Sequence, residues 1–310
     1  MGHGHHHHHV DPEAGDRRVA AAVGINVALT VAQIAGGLLS GSLAMIADAI
    51  HNLSDAVSLV IAYGARRIAR RPADAEMTFG YGRAEVVAAL INYTTLVVIG
   101  LYLVYEGVFR LIDPQPVAGW MVVIIAGVAL VVDLGTAALT YALSKTSVNI
   151  RAAFLHNVAD ALGSLGVIAA GVLILLFGWI WVDPVVTLMI AGYILWMAVS
   201  ELPGVIRILM LGAPPGVSVE AVLDAMRGVR GVEDVHNLHL WQMDEHRAGL
   251  LAHVTVTEGA WHEADAIKAA VKARLLDGFD IAHLTLEMEC ARHACASGVA
   301  TVGAAATRSV

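Results

Sequence analysis

Two histidine–aspartate pairs stand inside otherwise apolar stretches of this chain. His51 and Asp55 are four residues apart, and so are His156 and Asp160. On an α-helix that spacing puts both members of a pair on one face. Two such faces set against each other gather two imidazoles and two carboxylates. That is a tetrahedral N₂O₂ donor set suited to Zn²⁺, a borderline cation that accepts both ligand types. An Asp at the middle of a membrane helix costs at least about 2.5 kcal/mol on insertion scales, and a bound cation offsets that cost directly. A single pair would serve equally well as a polar contact between helices; its repetition at one spacing favours the metal. Asp48 shares the stretch of His51, and Asp133 stands midway along another apolar stretch. The functional expectation for these two acids is proton coupling or the lining of a water path. For Asp133 the structural alternative is a hydrogen bond to Thr136 or to a neighbouring span.

The elements that must carry these residues follow from composition. Of 310 residues, 57% are hydrophobic and 15% charged, and the mean hydropathy is +0.68. Soluble domains carry about 25% charge, so lipid is the expected solvent for much of the chain. Six apolar runs, roughly 20–39, 43–65, 84–111, 120–143, 154–177 and 184–211, each reach the ~20 residues a helix needs to cross a bilayer. Helices are required because lipid leaves backbone groups no water to bond. Loop arginines and lysines collect on one side if the spans alternate, with Arg110 at the other ends, so both termini are expected in the cytoplasm. Trp120, Trp179 and Trp181 fall at the opposite ends, as an aromatic belt would. The formal net charge of −8 comes with no concentrated basic face, which excludes nucleic acid as a partner. Two cysteines are too few for a disulfide framework. No cleavable signal peptide is evident at the N-terminus.

After Pro214-Pro215 the pattern becomes that of a soluble domain. Val219–Val229 reads as an amphipathic helix, Val235–Trp241 and Leu250–Thr257 as strands, His262–Leu276 as a helix and Ile281–Met288 as a strand. The expected fold class is therefore a membrane all-α six-helix bundle followed by a cytosolic α+β domain of order α-β-β-α-β. The domains expected are a His-rich tail over 1–16, a transmembrane domain over 17–212, a metal-binding and dimerisation domain over 213–291 and a flexible tail over 292–310. His236 and His253 fall on the two adjacent strands, with Glu287 and Glu289 on the last. Cys290, His293 and Cys295 form a Cys-x-x-His-x-Cys cluster able to bind Zn²⁺ or to be an inert tail. His3 and His5–His9 read as a native, weak metal collector, with a purification tag as the alternative.

Four stretches together carry a resemblance that covers nearly the whole chain. They are Ser42 to Asp55 (SLAMIADAIHNLSD), Thr78 to Glu85 (TFGYGRAE), His156 to Asp160 (HNVAD) and His236 to Trp241 (HNLHLW). In these the sequence resembles the cation diffusion facilitator family, in its zinc-transporting branch. The resemblance implies a homodimeric, proton-coupled metal exporter of a bacterial inner membrane, with six spans and a metallochaperone-like cytosolic domain. It implies that His51, Asp55, His156 and Asp160 are the transport site. It also implies that His236, His253 and the acidic group at the end of the third strand hold a regulatory metal. The choice of His236 over His239 rests on the resemblance, since strand alternation leaves His239 open. His51 favours Zn²⁺, because relatives with Asp there tend to accept Cd²⁺; Co²⁺ is a further candidate. One departure stands out: Gly82 follows Tyr81 where some members carry a metal-binding His, which argues against a metal site in that loop.

Two other classes compete. An intramembrane zinc hydrolase would also place His and Asp in spans, but needs an open coordination position and a general base, and no His-Glu-x-x-His is present. A membrane metal sensor would bind without moving metal. The expectation is a secondary transporter and not an enzyme.

Overall fold

Apolar helices dominate the described residues up to Leu209. The computed structural model describes the backbone of residues 12–144, 148–290 and 302; side chains are described from residue 24 on, apart from 25, 26, 59, 139, 140 and 142–156 within those bounds. Six helices come first: α1 (Pro12–Ser40), α2 (Leu43–Ala69), α3 (Ala84–Ile112), α4 (Gly119–Ser144), α5 (Val148–Phe177) and α6 (Val182–Leu209). Five of them, α2 to α6, are long and apolar enough to cross a membrane, and the described apolar part of α1 is Val27–Ser40. The chain forms two compact units, residues 1–61 with 91–200, and 62–90 with 201–310.

In the first unit α2 is the common element. Leu43 and Ala47 pack with Leu96 and Leu103 of α3 and with Ala191, Ile194 and Ala198 of α6. Ala44 and Met45, on the next faces, pack with Val122 and Ala126 of α4 and Val167 of α5. Small residues permit the close approach by which membrane helices associate. At the α4–α5 crossing a Cβ on Gly119 would fall 2.7 Å from the carbonyl oxygen of Gly171, so neither backbone could come so near with a larger residue.

The start of α2 is satisfied from afar. The first N–H groups of a helix have no partner within it. Leu43 N–H donates to Asp183 Oδ2 at 2.8 Å, the Ser42 hydroxyl donates to Asp183 Oδ1 at 2.5 Å, and Met45 N–H donates to Ser42 Oγ at 3.1 Å. Asp183 belongs to the first turn of α6, and a carboxylate there also complements the helix dipole of α2. Arg110 of α3 donates to the Gly41 carbonyl at 2.6 Å and pairs with Glu106. One end of α2 is therefore clipped to α3 and α6.

The second unit holds the soluble domain: α7 (Val219–Arg227), β1 (Val232–Gln242), β2 (Ala248–Val256), α8 (Ala264–Phe279) and β3 (His283–Cys290), with a short 3₁₀ turn at Trp261–Glu263 before α8. This is the expected α-β-β-α-β order. β1 and β2 are antiparallel; β2 and β3 are parallel, which the α8 crossover makes possible. Val222, Leu223 and Met226 of α7 and Val271 and Leu275 of α8 pack against Val235, Leu238, Leu240, Leu250, Ala252, Val254 and Leu286. The helices thus cover one face of the sheet. His253, Glu287 and Glu289 take the other parity.

Candidate metal centres

His51 and Asp55 lie on the middle of α2, and Asp160 lies on α5. His51 Nε2 is 3.7 Å from Asp55 Oδ2 and 3.7 Å from Asp160 Oδ1. These separations are too long for direct hydrogen bonds. They come close to the ~3.3 Å edge of a tetrahedron with bonds of about 2.0–2.1 Å, the Zn–N and Zn–O distances. One donor atom from each of the three residues falls within 4.8 Å of the others. His51 is 6% exposed and Asp160 8%, while Asp55 is half-buried. His156 lies on α5 four residues before Asp160, but its side chain is outside the described residues. The edge of one ring meets the face of the other where His51 approaches Tyr193 of α6, with centroids 6.1 Å apart.

Beside this trio lies a buried polar network. Gln33 Nε2 donates to Asp48 Oδ2 at 2.8 Å, and Asn52 Nδ2 reaches Gln33 Oε1 at 3.5 Å. The Ser164 hydroxyl stands 3.4 Å from Asp48 Oδ2 and 3.2 Å from Asp133 Oδ2. Asp48 and Asp133, on α2 and α4, are thus brought together by Ser164 of α5. The Thr136 hydroxyl donates to the carbonyls of Val132 and Asp133 in its own helix. Gln33 and Ser164 were not singled out by sequence, since an isolated Gln or Ser in an apolar helix carries no spacing signal.

The second cluster lies on the open face of the sheet. His236 and His253 are cross-strand partners, with ring centroids 5.3 Å apart. His236 Nε2 is 3.3 Å from Glu289 Oε2, and His253 Nδ1 is 2.7 Å from Glu289 Oε1. His236 Nε2 is buried and makes no hydrogen bond among the described residues, which leaves a donor atom suited to a cation. Glu287 sits 3.3 Å from His253 Nε2 at the exposed rim, and Asp234 3.6 Å from His236 Nδ1. His236, His253 and Glu289 form the compact set.

A bulge makes this arrangement possible. The register slips between His236 and His239, where Asn237 has φ 50°. Asn is among the few residues that adopt such a left-handed conformation readily. The extra residue puts His236, rather than Asn237, opposite His253. The Asn237 side chain spans the site, with Nδ2 3.1 Å from His253 Nε2 and Oδ1 3.3 Å from His239 Nε2. His239 is exposed and outside the cluster. Cys290 ends β3 opposite Val256; His293, Cys295, His3 and His5–His9 lie outside the described residues.

Crossing helices that bury a mixed nitrogen–oxygen donor set, joined to a helix-covered sheet with its own donor cluster, define a membrane carrier of cations. Comparison with known proteins narrows that class. The family model described as the cation efflux transmembrane domain matches residues 19–210, and that of the cation efflux protein cytoplasmic domain matches residues 214–291. The chain belongs to the cation efflux family, the cation diffusion facilitators, in its zinc-transporting branch. The zinc transporter ZitB of Pectobacterium atrosepticum is 37% identical over 287 residues, covering 92% of this chain and 89% of that one. The metal cation efflux system protein CzcD of Cupriavidus metallidurans is 34% identical over 291 residues, covering 94% and 91%. The cadmium, cobalt and zinc/H(+)-K(+) antiporter of Bacillus subtilis is 36% identical over 261 residues, covering 83% and 84%.

Proposed function

We propose that this protein is a homodimeric Zn²⁺/H⁺ antiporter that exports metal from the bacterial cytoplasm. The observation that carries the reading is the trio of His51, Asp55 and Asp160, drawn from two helices to within tetrahedral reach. His156, on the Asp160 helix at the same spacing, supplies the fourth ligand. Two carboxylates cancel the double charge of the ion, which lets a dehydrated cation rest in a low-dielectric setting.

Proton coupling follows from ligand chemistry. Zn²⁺ requires neutral imidazole and ionised carboxylate, so binding releases any proton those groups carried. Histidine, whose unperturbed pKa is about 6.5, can rebind it at physiological pH. Exposing the site alternately to the two sides exchanges metal for proton. Co²⁺ and Cd²⁺ are further candidate cargoes, and Asp48 and Asp133 take part in the coupling. The sheet cluster of His236, His253 and Glu289, with Glu287 at its rim, holds a regulatory Zn²⁺. The tail set of Cys290, His293 and Cys295 adds an accessory site. Both termini face the cytoplasm, as the loop charge requires.

The names of the relatives as zinc transporters and antiporters support this reading over a hydrolase or a sensor. Its test is zinc flux into proteoliposomes under an imposed pH gradient, with Co²⁺ and Cd²⁺ as competitors. Flux should rise as the inner compartment is made acidic and vanish when the gradient is collapsed. Metal binding without flux would leave a sensor.

A further inference from the structure

β1 stands at one edge of the cytosolic sheet, whose order is β1-β2-β3. An edge strand presents a row of backbone N–H and C=O groups to whatever lies beside it. On this edge Val302, from the C-terminal end of the chain, forms a parallel β-bridge with Leu238. Both residues belong to the second compact unit. The chain has ample length for the meeting. Val302 comes 12 residues after Cys290, the last residue of β3. Extended chain of that length spans about 40 Å at ~3.3 Å per residue, whereas three strand spacings of ~4.8 Å make only about 14 Å.

The bridge falls where β1 most needs a neighbour. The pairs with β2 run Val235↔Val254 and His236↔His253, then resume at His239↔Leu251 and Leu240↔Leu250. Asn237 and Leu238 therefore share the one place opposite Ala252. A bulge leaves its extra residue outside the ladder, and a buried backbone group without a partner is costly. Leu238 is fully buried, with its side chain in the core under α7 and α8. Val302 supplies a strand neighbour on the outer side at that residue, next to the left-handed Asn237. Val302 is itself exposed, as befits an outermost position.

We propose that the chain's own segment around Val302 is a fourth strand of this sheet, seated on the outer edge of β1, and that it positions His236 by holding the bulge. The second half of the inference rests on the reading of His236, His253 and Glu289 as a metal site. The bulge decides which residue of β1 stands opposite His253. Continued without it from His239↔Leu251, the ladder sets Asn237 there and His236 opposite Val254. A one-residue slip turns every side chain of a strand to the other face. Loss of the bulge thus carries His236 away from Glu289, to which its Nε2 now stands at 3.3 Å. A strand paired on the other side at Leu238 favours the bulged register, because it gives the displaced backbone a partner. It also occupies an edge on which the strand of another copy would otherwise pair.

The test uses the whole chain in lipid nanodiscs carrying Asp160→Asn, so that the proposed transport site contributes little to zinc binding. One variant ends the chain after Ser297, which leaves Cys290, His293 and Cys295 in place. A second, Val302→Pro with Gly303→Pro, removes the N–H groups from which a parallel neighbour at Leu238 donates to β1. Amide exchange over residues 235–240 is read without metal, and zinc affinity by titration. Exchange should quicken about fivefold, the equilibrium weight of one backbone hydrogen bond. Zinc affinity should fall about 10–100-fold, the usual effect of losing the support behind a ligand. Unchanged exchange in both variants overturns the proposed strand. Quickened exchange with unchanged zinc affinity overturns the positioning of His236. The double change His236→Ala with His253→Ala tells the two readings apart: zinc binding equal to the parent's sinks the metal site and the positioning claim, while metal-free exchange still decides whether the strand is there.

Discussion

Replacing Asp160 by Asn removes one negative charge from the proposed transport site while keeping the shape of the side chain. In the native protein Asp160 and His51 are both more than nine-tenths buried, with Nε2 and Oδ1 3.7 Å apart. With the metal bound, two carboxylates balance the two charges of the ion. In the variant one unit of positive charge is left uncompensated in a site shielded from water. Removing one member of a buried ionic set typically costs about 3–5 kcal/mol, and each ~1.4 kcal/mol is a factor of ten in affinity. Zinc affinity at this site should therefore fall by about two to three and a half powers of ten. The metal-free protein should suffer less, because without the ion no double positive charge is left uncompensated. The assay is zinc flux per folded dimer in proteoliposomes, with dimer counted by size exclusion in detergent. If the His–Asp pairs merely held helices together, dimer yield would fall first and flux only in proportion. Near-normal flux per dimer for Asp160→Asn would refute the transport site argued here.

Four further outcomes are expected. His51→Asp should admit Cd²⁺ alongside Zn²⁺ in competition flux, since a carboxylate replaces a nitrogen donor; an unchanged preference counts against His51 as a ligand. The segment from about Pro215 to Ala291 has a hydrophobic core of its own; it should fold alone and melt higher with Zn²⁺, by about 2.7 kcal/mol at a hundredfold excess over Kd, and lose that gain with His236→Ala and His253→Ala. Asn237→Gly keeps the left-handed bulge but not the side chain that steadies His253, so zinc affinity of that segment should fall by about 10–100-fold with little change in stability, whereas Asn237→Val should also destabilise it. Partial burial pushes the Asp244 carboxyl up, but bonds from the Arg247 side chain and from the His246 and Arg247 N–H groups together hold it below its ordinary value of 3.8. Its contribution to stability is therefore present above that value and lost as pH falls through the lower folded-state pKa; Asp244→Asn should flatten the acid limb of the segment's melting curve, and an unchanged limb would contradict it.

How much of this was legible in the sequence depends on the range of the contact. The His–Asp spacing is a property of helix geometry, so one face of α2 could be read directly, as could the six apolar runs and the α-β-β-α-β order. Strand limits were less sharp. β3 begins at His283 rather than Ile281, because Ile281 packs in the core ahead of the sheet pairing. α8 begins at Ala264, after the 3₁₀ turn that includes His262. The bulge at Asn237 broke the alternation on which strand faces are read, and it alone decides between His236 and His239. The bonds from Arg83 Nε to the Met243 carbonyl at 3.0 Å and from Nη2 to the Gln242 carbonyl at 3.2 Å were invisible for a different reason: the acceptors are backbone carbonyls, which every residue has. Ser164 between Asp48 and Asp133 joins residues 116 and 31 positions apart, and no local pattern announces such a meeting.

The clip at the start of α2 has a mechanical consequence. A rod held at one end turns about that end, and displacement grows with distance along it. Asp183 and Arg110 fix the Gly41–Ala44 end, so that end is the fulcrum. His51 lies eight residues along from Leu43, about 12 Å, and the far end at Ala69 about 39 Å, at ~1.5 Å per residue. A swing of about 10° about that end would displace the His51 position by only about 2 Å and the Ala69 end by about 7 Å. Such a lever would turn a small shift beside His51 into a wide one at the far end of the helix.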